Sequence, residues 1–374
     1  MSSVLFLSLM NSAAWGGSEE IWFRSAICLS KKNYKVGVCC FNWPGKEERL
    51  QQLKDAGCEL FLLPGRNETK SLFGKLRLKR RLQAVPFDKY QKIIVNQGGW
   101  KDVAHGPFKK LNHHLPPYVL LFHNYDESDH LSAGKKRLFL HWVQGAEKNI
   151  GDAGRIFSGI QKSIDSKVPK QAVLFNPIGF QQPGEVTPFI NSPGDKLVVT
   201  MLAELDTKRK AQDQLIKALA SEKWKERNFE LNLYGKGQDQ SYLEQLINEN
   251  QLSSKVFLKG FTKNVKEVIT NSHAILQLTH FDAMPIAVTE ALALSRPALV
   301  TNVGDMPQWV TNDVNGWIAP NASVQQIDEV LEKAWQSRNR LEEMGKQSFS
   351  IFTKKYPADP VKFFLEQIGT ELSE

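Results

Sequence analysis

Apolar residues along this chain fall into short runs separated by stretches with helical spacing, and this alternation occurs twice. In the first half, residues 4–9, 35–41, 59–63, 93–95 and 118–122 predict buried strands. Between them, 18–30 and 47–56 carry the spacing of amphipathic helices, with Ser18 in position to act as an N-cap after a Gly16-Gly17 turn. Signals over 100–117 are weak and rich in Pro, Gly and His, which predicts a loop. Near Asn176-Pro177-Ile178-Gly179 the texture changes, and Pro and Gly through 181–194 read as a linker. A second series follows. Strands are predicted at 197–202, 229–234, 256–258, 274–278 and 298–300, and helices at 211–220, 240–250, 265–270, 286–294 and 324–336. Buried strands alternating with helices form parallel sheets. The expected fold class is therefore α/β, with two Rossmann-like doubly wound domains side by side. Ligands in such folds sit beyond the carboxyl ends of the strands, which directs attention to Gly16-Gly17, His123, Lys210, Gly235–Gly237, Gly260-Phe261 and the 279–290 loop.

Length agrees with two domains, since 374 residues are enough for two cores. No stretch of ~18 unbroken apolar residues is present, so no transmembrane helix is expected. The run 4–10 followed by Ser12-Ala13-Ala14 superficially resembles a leader peptide. It is short and lacks a preceding basic residue, so it reads as a buried first strand of a cytoplasmic protein. Cys28, Cys39, Cys40 and Cys58 have neither C-x-x-C spacing nor nearby histidines, which argues against zinc and disulfides. The net charge of +8 favours phosphates or an anionic surface as partners. Part of it is concentrated at Lys75, Arg77, Lys79, Arg80 and Arg81, interleaved with Leu72, Phe73, Leu76, Leu78 and Leu82. This is the pattern of a basic amphipathic helix over 72–82, either a solvated helix face or a site of peripheral membrane contact. Nucleic-acid binding would rest on charge alone and is not expected.

The stretch Thr279-His280-Phe281-Asp282-Ala283-Met284-Pro285-Ile286-Ala287-Val288-Thr289-Glu290 carries the most chemistry. It leaves a strand, turns at Met284-Pro285 and enters a helix at Ile286, with Pro285 in the first turn, where helices tolerate it. Amides at such a helix start, here those of Ile286 and Ala287, favour anions and hydroxyls. Asp282 precedes the helix and Glu290 lies just over one turn inside it. Two carboxylates there suit a polyhydroxylated ligand, although a capping acid followed by a solvated glutamate would leave the same pattern.

The Asp282-x7-Glu290 segment and the following Ser295-Arg296-Pro297 through Val303-Gly304 resemble the acidic-x7-Glu region of GT-B retaining glycosyltransferases, specifically glycosyltransferase family 4, or group 1. The resemblance extends over Leu202–Asp206, Lys210–Asp213, Leu233–Gly237, Val256–Phe261 and Asn315–Ile318, and more loosely over Gly16–Glu19 and Phe122-His123-Asn124. It implies an acceptor-binding domain at 1–178, joined by a returning C-terminal helix within about 356–374, and a nucleotide-sugar domain at 179–355, with the donor in the cleft between them. It further implies that Glu290 binds the donor ribose and that Asp282 approaches the donor sugar or its phosphate. Lys210 would bind the diphosphate, with the Gly17 backbone nearby. Phe261 and Thr262 would sit at the base, and the Met284–Ala287 turn would serve as the anion-binding helix start. His123 would lie on the acceptor side of the sugar, where it could hydrogen-bond or assist proton transfer. The catalytic set is thus His123, Lys210 and Asp282. Phe261, Thr262, Gly17, Arg209, Gly235, Met284, Pro285, Ile286, Ala287 and Glu290 form the donor-binding set.

One departure stands out. The family usually places an arginine six residues before the lysine, and this chain has Glu204. A carboxylate beside a diphosphate repels it by ~1–4 kcal/mol at close range, unless Arg209 or Lys236 supplies the missing charge. Ala211 and Ala283 replace glycines. No Asp-x-Asp motif stands in the donor region, so the expected chemistry is metal-independent and cofactor-free. The expected reaction is retaining transfer of a hexose from a UDP-sugar, UDP-glucose first, to a saccharide or lipid-linked acceptor of the kind found in bacterial polysaccharide synthesis. Two alternatives share the fold: a nucleotide-sugar-binding protein with little or no turnover, and a sugar-nucleotide epimerase.

Overall fold

The computed structural model describes residues 2–10, 15–65, 68–104, 106–123, 131–190 and 195–370. Ser12-Ala13-Ala14, Asn124 and the segments 191–194 and 371–372 lie outside the described residues. The chain divides into two compact units, Met1–Pro177 with Asp359–Glu374, and Ile178–Ala358.

The first unit is built on strands β1 (Ser3–Ser8), β2 (Lys35–Phe41), β3 (Glu59–Leu63), β4 (Lys92–Gln97), β5 (Tyr118–Phe122), β6 (Lys148–Gly151) and β7 (Gln171–Val173). They form one parallel sheet in the order β3-β2-β1-β4-β5-β6-β7. β1, β4 and β5 sit inside the sheet, which explains why they read as nearly unbroken apolar runs. The helix Gly17–Lys31 buries Ile21, Trp22, Phe23, Ala26 and Leu29 against this sheet. Its N-cap is Gly16, with no side-chain cap, so Ser18 does not fill the capping position expected from sequence. Trp100–Ala104 and Gly106–His114 are short helical segments where a loop was expected. Val103 and Phe108 are buried there, anchors too sparse to produce a periodic signal.

The last helix, Pro360–Gln367, is started by Asp359, whose Oδ1 accepts from the amides of Val361 and Lys362 at 2.9 Å each. Phe364, Leu365 and Ile368 join the core of the first unit, and the helix packs on Gly17–Lys31. At its end, the Lys92 and Lys148 ammoniums donate to the carbonyls of Ile368 and Gln367 at 2.7 and 2.6 Å, satisfying oxygens that have no intrahelical partner.

The second unit carries β8 (Leu197–Leu202), β9 (Phe229–Tyr234), β10 (Val256–Gly260), β11 (Ala274–Gln277), β12 (Ala298–Thr301) and β13 (Gly316–Ala319), all parallel, in the order β10-β9-β8-β11-β12-β13. The order reverses between β8 and β11, so the loops leaving those two strands lie side by side. Trp224, Leu215, Leu243, Trp317, Ile327 and Leu331 fill its core. Arg296 is fully buried, and among the described residues no carboxylate pairs with it. Its guanidinium donates to five carbonyl oxygens, those of Ser272, Leu294, Ser295, Pro188 and Thr270. Burial lowers its pKa to about 10. The bonds to Pro188, Thr270 and Ser272 tie the entering chain to the β11 side of the unit.

Candidate functional site

After β8 the chain makes a single helical turn, Thr207–Lys210, and then a longer helix, Gln212–Leu219. Ala211 joins them in the left-handed region at φ +51°, a conformation that glycine adopts at less cost. The turn aims Lys210 inward. Its Nζ donates to Asp282 Oδ2, and the pair is largely shielded from solvent. The second oxygen of Asp282 accepts from the Ala283 amide at 3.0 Å.

Backbone bonds hold this pair in place. The Arg209 carbonyl accepts from the His280 amide at 2.9 Å and from Thr279 Oγ1. Thr279 is itself locked to β12, because its amide donates to Thr301 Oγ1 at 3.1 Å and that hydroxyl donates back to the Thr279 carbonyl at 2.6 Å. Gly304 sits at φ +51°, and a Cβ there would meet the Ala283 oxygen at 1.7 Å. Only glycine lets that backbone reach the Asp282 loop, where the Asp305 amide donates to the Ala283 carbonyl at 2.9 Å. Thr279, Thr301 and the role of Gly304 in this support were not identified from sequence. Their visible signal was slight: threonines at or just past the ends of two buried strands and a glycine three residues beyond the second.

The helix Ile286–Ala293 follows Pro285, which occupies the N-cap position one residue before the helix and not its first turn. Its carbonyl accepts from the Val288 amide at 3.0 Å. Glu290 is buried, and its Oε1 accepts from the Gly179 amide at 2.8 Å. A Cβ at Gly179 would stand 3.0 Å from that oxygen. Asp282 and Glu290 therefore have separate partners, Lys210 and the backbone at 179. Met284 and Ala287 flank the helix entry, and Ala287 is buried.

The loops after β8 and β9 are woven together. Gly235 is at φ +149°, with the Ala203 oxygen 1.9 Å from where a Cβ would stand, and its amide donates to the Gly260 carbonyl at 2.9 Å. Asp239 accepts from the Thr207 amide and hydroxyl at 2.7 and 2.8 Å, bonds that lower its pKa. The Arg209 guanidinium donates to Glu204 at 2.6 Å and lies 3.8 Å from Asp206. Glu204, the unexpected acid, is thus engaged by Arg209. Phe261 is one of the exposed large apolar residues, and Thr262 accepts from the Asn264 amide at 2.9 Å.

In the first unit, Gly17 begins the helix after β1, and His123 follows β5. His123 is buried between Asp152 and Asn96, with Nδ1 3.2 Å from Asp152 Oδ2 and Nε2 2.7 Å from Asn96 Oδ1. Sequence inspection singled out His123 but not Asn96 or Asp152, which stand at the ends of the neighbouring strands. Cys39, Cys40 and Cys58 are buried and Cys28 half-buried. Burial pushes the Cys40 thiol up to about 12. Among the described residues, no three His, Cys, Asp or Glu side chains are grouped to hold a metal ion.

The basic segment forms the helix Leu72–Gln83, whose buried positions are Gly74, Leu78 and Leu82. Leu72 and Phe73 are 86% and 80% exposed, and Leu76 is exposed beside them. Arg77 pairs with Glu68 at 2.6 Å. Among the described residues, no helix is long and apolar enough to cross a membrane.

Residues 185–350 match the family model of glycosyl transferases group 1. Poly(glycerol-phosphate) alpha-glucosyltransferase of Bacillus subtilis is 20% identical over 172 residues, 44% of this chain. The match spans about a quarter of that protein (24%). Among solved structures, Anabaena Alr3699/HepE in complex with UDP and glucose aligns with a TM-score of 0.75 at 17% identity, covering 99% of this chain and 100% of that one. Sucrose-phosphate synthase from Thermosynechococcus elongatus aligns at 0.76 and 13% identity, covering 98% of each. At these identities the structural likeness establishes the fold, which is that of GT-B glycosyltransferases.

Proposed function

We propose that this chain is a group 1 glycosyltransferase that moves a hexose, with retention and without a metal ion, from a UDP-sugar to a saccharide or lipid-linked acceptor. The observation that carries the reading is the shielded Lys210–Asp282 pair, held by Thr279 and Gly304 beside the start of the helix Ile286–Ala293. The family match over 185–350 covers the same elements. UDP-glucose is the preferred donor, a choice supported by the glucosyl activity in one relative's name and the UDP and glucose in one neighbour's title.

In this mechanism Lys210 meets the negative charge that builds on the departing diphosphate. That charge is largest in the transition state, so the interaction lowers the barrier more than it tightens ground-state binding. Amides at Ile286 and Ala287 assist from the helix start. Glu290 takes the ribose hydroxyls, and the Gly235 backbone and Phe261-Thr262 line the nucleotide side. As the acceptor oxygen bonds the anomeric carbon on the face the diphosphate leaves, its proton passes to a diphosphate oxygen. A cytoplasmic enzyme with a lipid-linked acceptor would dock through Leu72, Phe73 and Leu76, surrounded by the helix's cations, with each Lys or Arg near an anionic surface contributing ~1 kcal/mol.

The deciding experiment is calorimetry with UDP and UDP-glucose in EDTA, followed by NMR assignment of the anomer in the transfer product. Nanomolar-to-micromolar binding and an α-linked product are expected. No binding at millimolar ligand, or strict dependence on Mg²⁺, would overturn the proposal. Glu204 motivates a second reading, a donor-binding protein without turnover, since it engages the nearby Arg209 cation. Tight UDP binding with neither transfer nor donor hydrolysis would select it.

A further inference from the structure

The polar groups around His123 form a directed hydrogen-bond chain whose origin is Glu19. Glu19 is 2% exposed. Ser8 Oγ donates to it at 3.0 Å, Asn96 Nδ2 at 3.1 Å, and the Trp22 indole also donates. The Lys46 ammonium, fully buried, lies 3.7 Å from its other oxygen. A carboxylate facing three donors and a cation is an acceptor only. Asn96 must therefore turn its amide nitrogen toward Glu19, which leaves its carbonyl oxygen toward His123, 2.7 Å from Nε2. An amide oxygen cannot donate, so the hydrogen in that bond belongs to the ring. On the opposite side, Asp152 Oδ2 faces Nδ1 at 3.2 Å and also accepts from Asn176 Nδ2 at 3.2 Å.

We infer that Glu19, acting through the orientation of Asn96, keeps a proton on His123 Nε2, so that His123 serves as a fixed donor and not as a proton acceptor. Glu19 and Asn96 are then positioning residues. Among the described residues, Asp152 and Asn176 lie on the Nδ1 side and Asn96 on the Nε2 side, with Glu19, Ser8, Trp22 and Lys46 beyond it and Cys40 close enough to feel the charges of Glu19 and Lys46. Asp102 is also close enough to feel the charge of Glu19. The hydrogen-bond inference stands independently of the proposed activity. Its consequence for transfer rests on that activity: an acceptor proton would have to end on the leaving phosphate and not on His123.

The test uses the full chain labelled with ¹⁵N-histidine, with His123 assigned through loss of its signals in His123→Gln. Near neutral pH, Nε2 should resonate as a protonated ring nitrogen. In Glu19→Gln the new amide can donate, Asn96 can reverse, and Nε2 should shift to the unprotonated range. Because that variant strands the buried Lys46 charge, Glu19→Gln/Lys46→Met provides the same measurement with both charges removed. An unprotonated Nε2 in the parent protein, or an Nε2 signal unchanged in both folded variants, would overturn the inference. So would a kcat that rises with pH through one ionisation that disappears in His123→Gln. A protonated Nε2 in a protein without transferase activity would leave the inference standing and count against the proposed function.

Discussion

Lys210 allows structural and chemical roles to be separated in one experiment. Lys210→Met removes a cation whose Nζ donates to Asp282 in a largely shielded pair. Removing one partner of a fully buried pair costs about 3–5 kcal/mol. Asp282 keeps some solvent access and the Ala283 amide at 3.0 Å, so about 1–3 kcal/mol is the expected loss here. For a unit of this size that corresponds to a fall in Tm of roughly 2–10 °C. If Lys210 also meets the leaving diphosphate, kcat should fall by about 10²–10³. Lys210→Met/Asp282→Asn removes both charges. Tm should largely return, since no unpaired charge remains, whereas kcat should stay low, because the Lys210 cation no longer faces the diphosphate. Thermal denaturation and donor turnover on the same preparations give both numbers. A double variant that recovers kcat together with Tm would show that Lys210 serves the fold alone and would refute the assigned chemistry.

Glu290→Gln should weaken UDP affinity by about tenfold or more, as expected for losing a charge-assisted bond of ~1.5–3 kcal/mol; unchanged affinity in calorimetry would remove the ribose role. Gly304→Ala places a methyl 1.7 Å from the Ala283 oxygen at φ +51°, so urea unfolding should register a loss of about 2–4 kcal/mol. Burial raises the Asp102 carboxyl to about 6, against bonds from the Gly98 and Gly99 backbone that oppose the rise. The folded state therefore holds this proton more tightly than the unfolded chain. Stability falls as pH rises from about 4 through 6, and the cost is fully present above that window. Asp102→Asn should accordingly gain stability over the parent at pH ~8 and lose that advantage near pH ~4. Replacing Leu72 and Phe73 by serine should release the protein from phosphatidylglycerol vesicles in co-sedimentation, and failure of the parent protein to bind such vesicles would eliminate membrane docking.

Periodicity located most of the strands, because parallel strands buried on both faces leave short apolar runs. β2, β3, β5, β8 and β9 have the ends read from the sequence, and the helices Val265–Thr270 and Val324–Gln336 do as well. Short strands at or near sheet edges, β6, β7 and β13, were not recognised as strands. Three or four residues beside polar neighbours produce no detectable period. The helices Ala133–Gly145, Arg155–Ile164 and Leu341–Lys355 were missed too, although Arg155–Ile164 is clearly amphipathic. Motif order identified Lys210, Asp282, Glu290 and His123 as the residues to examine. Only the tertiary structure decided what each one touches. Lys210 meets Asp282 across 72 positions of sequence because β8 and β11 are neighbours in the sheet. Glu290 reaches back 111 positions to the Gly179 amide. Asn96 connects Glu19 to His123 because β4 lies between β1 and β5. A residue's spacing reports which face of its own element it occupies, whereas its partners depend on which strands the sheet places side by side, and no local pattern encodes that order.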